Sequence, residues 1–120
     1  MTNQSTTPLS DQPIYVEIFV YRNSEWARTF SFADKDTREF RDITDISFYG
    51  SVSFEGDIVG SFVFDKISDE EFSITLPVSV INSLDSEKIY DYDWFLVEGG
   101  IPEVFAKSKL QKFETVTNIP

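Results

Sequence analysis

From Tyr90 to Leu96 the chain alternates with a period of two: Tyr90, Tyr92, Trp94 and Leu96 fall on one side, Asp91 and Asp93 on the other. That period is the mark of a half-buried strand. A second β-prone run covers residues 104–112. The six residues 98–103 between the runs hold Gly99, Gly100 and Pro102 and predict the connector of a hairpin. The rest of the sheet should be built against this aromatic face.

The same period recurs along the chain. Residues 14–21 set Ile14, Val16, Ile18 and Val20 against Tyr15, Glu17, Phe19 and Tyr21. Both sets are largely apolar, which predicts a strand covered on two sides. Residues 25–33 place Trp26, Phe30 and Phe32 on one face with Arg28 among them, and the charged run 34–42 reads as an exposed loop. In residues 46–54, Ile46, Phe48, Gly50, Val52 and Phe54 alternate with Ser47, Tyr49, Ser51 and Ser53. A turn is expected at Gly56-Asp57, then one strand over 59–66 with Phe62 and Phe64 in phase. Residues 71–76 put Phe72, Ile74 and Leu76 together, and Pro77, lacking an N–H, ends that strand. Residues 77–84 suit one or two helical turns with Val80, Ile81 and Leu84 inward.

The count is about seven strands separated by turn signals, with one short helical turn. That is the pattern of an all-β domain, a β-sandwich or a small antiparallel barrel. Its expected core includes Trp26, Phe30, Phe48, Phe62, Phe72, Tyr92, Trp94 and Leu96. The divisions are an extended N-terminal arm at 1–13, a β domain at 14–117 and a C-terminal tail at 118–120. The arm is polar and aperiodic, and fully extended it would reach about 43 Å, enough to cross to a neighbouring subunit. We read Thr7, Pro8, Leu9 and Pro13 as its partner-binding residues.

Composition narrows the function. Twelve Phe, five Tyr and two Trp supply bulk for a core without staples, and there is no Cys and no His. Thiolate chemistry is excluded, and the commonest general base and transition-metal ligand are missing. A net charge of −11 argues against nucleic acid and against an anionic membrane surface. No apolar run approaches the roughly 18 residues of a membrane span.

Carboxylates remain. Asp91 and Asp93 lie about 7 Å apart along one strand face, a spacing compatible with a glycosidase pair; a solvated acidic face gives the same pattern. The run Asp34-Lys35-Asp36-Thr37-Arg38-Glu39 faintly suggests a calcium loop but lacks the glycine of that consensus. No serine elbow, phosphate-binding loop or dinucleotide fingerprint occurs. A sugar-binding platform would need Tyr15, Phe19, Tyr21 or Tyr49 on a concave exposed surface. The residues therefore point away from an enzyme, with no catalytic, cofactor-binding or metal-binding residue expected.

The order of features carries one resemblance. A strand, a Trp-containing strand, an acidic loop, Asp42-Ile43-Thr44, an alternating strand, a short helical turn, Tyr90-Asp91-Tyr92-Asp93-Trp94 and a terminal Val116-Thr117 follow one another. This resembles a group of small tailed-bacteriophage virion proteins, and the N-terminal domain of phage baseplate upper proteins, over residues 14–117. Asp45 stands where the family usually has glycine, and Ser108 replaces the glycine expected before Lys109. The resemblance implies an immunoglobulin-like antiparallel β-sandwich in the virion, made in the host cytoplasm and without a cofactor. It implies a non-enzymatic adaptor or accessory subunit of the tail or baseplate, with capsid decoration as the alternative. Its partners would be other virion structural proteins and copies of itself, with at most a weak cell-surface glycan contact. A free carbohydrate-binding module is the alternative from another class.

Overall fold

The strand read from Tyr90 to Leu96 forms as β8 (Ile89–Glu98), and it carries the core. In the computed structural model, which describes residues 6–9, 14–33 and 37–114, Tyr90, Tyr92, Trp94 and Leu96 are all buried. β9 (Ile101–Phe113) returns antiparallel to β8. The connector is two residues rather than six, because Ile101, Pro102 and Glu103 already pair with Glu98, Val97 and Leu96. Gly99 and Gly100 sit at φ of 60° and 78°, the two positive values that a tight twist-matched hairpin turn demands. The register shifts after Trp94, and at this bulge the consecutive residues Phe105 and Ala106 are both buried.

Two sheets form the sandwich. One contains β1 (Thr6–Leu9), β3 (Trp26–Phe32), β7 (Phe72–Leu76) and β6 (Val63–Lys66), in the order β1-β3-β7-β6. The other contains β2 (Ile18–Tyr21), β4 (Ser47–Phe54) and β5 (Asp57–Ser61) with the hairpin, in the order β2-β9-β8-β4-β5. Of the sandwich and the small barrel that the alternation allowed, the all-β sandwich is what forms. Its internal ladders are antiparallel, and the edge strands β1 and β2 pair in parallel with β3 and β9.

Among the described residues, nine strands stand where seven were expected. The single strand expected over 59–66 is two, β5 in one sheet and β6 in the other, with Phe62 crossing between them. Phe62 is buried at the crossing, and its amide donates to the Gly50 carbonyl at 3.0 Å. The preceding turn falls at Glu55-Gly56, one residue earlier than expected. The other added strand, β1, comes from the stretch read as an arm.

The core is aromatic. Phe48 stacks on Phe72 with centroids 4.2 Å apart, and Trp94 touches rings from both sheets. Of the residues expected inside, Phe30, Phe62, Phe72, Tyr92, Trp94 and Leu96 are buried, while Trp26 and Phe48 are half-buried and pack against them. Helix α1 (Val78–Ser83) buries Ile81, and Leu84 follows it inward. The Lys112 ammonium, itself buried, donates to the Leu84 carbonyl at 2.8 Å, satisfying a group left unpaired where the helix ends.

Candidate functional site

At the edge where β2 faces the start of β3, the two sheets leave a cleft of about 430 Å³. Phe19 and Tyr21 of β2, Trp26 and Arg28 of β3, and Tyr92 of β8 line it together with Glu17. The described part of β1 pairs with Thr29 to Phe32 and not with Trp26 to Arg28. The Arg28 guanidinium lies over the Trp26 ring, 5.2 Å from its centroid, and donates to the Ala27 carbonyl at 2.7 Å. Trp26 and Tyr92 supply its aromatic rings, with one carboxylate and one guanidinium beside them, while the Phe19 and Tyr21 rings turn to Phe113 on the outer side of β2. The mix can stack on an apolar ring face and bind its hydroxyls.

Tyr92 joins β8 to the entry of β2 by donating its hydroxyl to the Val16 carbonyl. Burial pushes this hydroxyl up from its ordinary 10.0 to about 12. The folded state therefore holds the proton more tightly than the unfolded chain. Its contribution is complete below pH 10 and is lost as the pH rises through about 12. Two pKa units correspond to at most about 3 kcal/mol. Denaturant midpoints measured across pH 10 to 12 should show the advantage of the native chain over Tyr92→Phe shrinking; parallel curves would contradict it.

The outward face of the five-stranded sheet is the second surface. Asp91 lies directly opposite Lys109, and Asp93 opposite Lys107. The Lys109 ammonium donates to the Asp91 carboxylate at 2.5 Å, with both side chains more than half exposed. Tyr15, Ser53 and these four residues line a depression of about 370 Å³. Aromatics border the charged centre. Tyr49 stacks on Phe95 at 5.3 Å toward one end, and Phe113 sits against Phe19 and Tyr21 at 5.8 and 5.7 Å toward the other. Tyr49 of β4 is exposed, and so are Tyr15 and Phe19, so the described residues leave Phe19 on the outer side of β2 open where the double alternation predicted cover.

The remaining candidates are placed as follows. Asp91 and Asp93 share the outward face as expected, and an ammonium already engages Asp91, an arrangement suited to contact more than to proton transfer. Of the faint calcium loop, residues 34–36 lie outside the described residues, and Glu39 is exposed. Among the described residues, no three of His, Cys, Asp and Glu gather to hold a metal ion. No described helix is long and apolar enough to cross a membrane. Thr7, Pro8 and Leu9 lie in β1, paired with Phe30, Ser31 and Phe32 of their own chain, whereas Pro13 lies outside the described residues.

Asp42-Ile43-Thr44 proves to be a structural device. The Asp42 carboxylate accepts the Thr44 amide at 2.9 Å, and that bond holds its pKa below the usual carboxylate value. The turn drives Ile43 into the core, fully buried, with its amide donating to the Asp69 carbonyl. Val116-Thr117 lies outside the described residues.

Fold and surfaces together define a two-sheet β-sandwich whose distinctive features are an aromatic seam cleft and a mixed-charge sheet face. The structure is similar to the N-terminal domain of phage TP901-1 ORF48, with a TM-score of 0.50 and 7% identity, covering 93% of this chain and 98% of that one. It is also similar to an extracellular fragment, including the stalk region, of novel immune-type receptor 11 from Ictalurus punctatus. There the TM-score is 0.44 and the identity 15%, with 85% of this chain and 87% of that one covered. No family model matches the chain, and no curated protein matches it.

Proposed function

We propose that this chain is a bacteriophage virion structural protein, a non-enzymatic β-sandwich adaptor or accessory subunit of the tail or baseplate region. The observation that carries the reading is the likeness to a phage protein's N-terminal domain over 93% of this chain and 98% of that one. The two folds correspond from end to end rather than through a shared sheet. The order of sequence features supports the same class. In this reading the partners are other virion proteins and copies of the chain itself, and the acidic surface, at a net −11, disfavours nucleic acid. The place of work is the assembled particle.

Mass spectrometry of separated tail and capsid fractions, from particles of the genome that encodes the chain, tests this. Recovery with tails is expected; recovery with capsids alone would select a decoration protein, and absence from particles would overturn the reading.

A second reading, carbohydrate binding, draws on one observation: Trp26 and Tyr92 line the seam cleft beside Glu17 and Arg28. Titration with a glycan panel decides it. Saturable binding lost in Trp26→Ala with the fold intact would favour it, and no binding removes it.

A further inference from the structure

We propose that the outward face of the five-stranded sheet is a self-association surface on which two copies of this chain meet about a two-fold axis along the seam between β8 and β9. The proposal deepens the virion reading by naming where copies touch, but it rests on this face alone.

The charges carry it. On β9, Lys107 and Lys109 form a column of positive charge; on β8, Asp91 and Asp93 form a column of negative charge at the same heights. A two-fold rotation about the seam lays β9 of each copy over β8 of the other. Heights along the strands are preserved, so Lys109 meets the other copy's Asp91 and Lys107 meets its Asp93. The face is complementary to itself, as the isologous contact of a two-fold dimer requires. Among the described residues Asp91 and Lys109 already pair within the chain, while Asp93 and Lys107 make no ion pair.

Two further observations fit. Exposed ion pairs add little affinity but set register; apolar area must supply the rest, and Tyr49, Phe19 and Phe113 are exposed around the charged centre. The area is adequate as well. With β8 about 34 Å long and the four strands β2, β9, β8 and β4 that the two-fold overlays about 4.8 Å apart, the footprint is on the order of 650 Å², somewhat under the roughly 800 Å² each partner gives a standard interface. Packed sheets cross at about 30°, so the match is best at the centre, where the four charges lie. A chain of net −11 repels its copies; this locally neutral face is where they can approach.

Sedimentation velocity of the full chain is the test, with melting curves as the control for folding. The native chain should dimerise reversibly. Lys107→Glu with Lys109→Glu, and separately Asp91→Lys with Asp93→Lys, should each weaken dimerisation at least about tenfold. Mixed in equal amounts, the two variants should form a heterodimer, because both crossed contacts again join opposite charges. Should either variant fail to fold, the four-site exchange of Asp91→Lys, Asp93→Lys, Lys107→Asp and Lys109→Asp keeps the cross-strand pairs and should dimerise like the native chain. A monomeric native chain, variants that dimerise normally, or a folded mixture or exchange variant that stays monomeric would overturn the interface. A monomer still found in tails would sink the interface and leave the virion reading standing; a dimer absent from particles would do the reverse.

Discussion

Replacing Trp94 by alanine lowers the unfolding free energy by about 3–5 kcal/mol. The side chain is 2% exposed and packs against five other rings. Trp26 and Phe30 come from one sheet, Tyr92 and Phe105 from the other, and Phe62 from the crossing between them, so truncation opens a cavity that neither sheet can close alone. Phenylalanine should cost far less, about 1 kcal/mol, for a specific reason. The indole Nε1 is buried without a hydrogen-bond partner, and removing an unsatisfied donor returns part of its desolvation penalty. Urea midpoints of the two variants are the measurement. A loss under about 1 kcal/mol for the alanine variant would mean that the ring is not the centre of a packed core.

The second large effect is expected one strand away. Gly50 lies directly opposite Trp94. A Cβ added there would sit 2.6 Å from Trp94 Cδ1, 2.9 Å from the Asp93 carbonyl oxygen and 3.0 Å from Phe64 Cζ. Gly50→Ala should therefore destabilise by about 1–3 kcal/mol through overpacking. The cost should shrink in a Trp94→Ala background, where the closest contact is gone, giving a coupling of at least about 1 kcal/mol in a double-mutant cycle. Additive costs would show that the tryptophan ring is not what excludes a side chain at residue 50.

Strands whose two faces differ in polarity were readable from the sequence. In β4, β7 and β8 one side is apolar and the other carries serine, threonine or aspartate at most positions, with Tyr49, Phe95 and Val97 among the exceptions, and their inward residues are the ones the alternation names. Elements governed by partners distant in sequence were not. β1 is a polar stretch that lies parallel to β3, so neither composition nor a nearby turn announces it. The break at Phe62 is marked only by Gly60 two residues before it, inside β5, and the chain changes sheets while keeping its apolar period. The bulge at Phe105 is invisible for the same reason. The outward position of Asp91 and Asp93 was legible from period two alone. That Lys109 and Lys107 stand opposite them depends on the hairpin register, and thus on a turn of two residues instead of six. The seam cleft joins strands from both layers, and no local pattern in any one of them contains it.

The crossing at Phe62 also has a mechanical consequence. Because β5 and β6 are two ends of one ribbon, the layers are stitched along that margin. Shearing them there must first break the ladder between β4 and β5 or the one between β6 and β7. The opposite margin, where β2 faces the start of β3, is tied by the four-residue link 22–25 between those two strands and holds the cleft beside it. A force that parts the layers is therefore resisted by backbone at both margins, by residues 22–25 at one and by the crossing at Phe62 at the other.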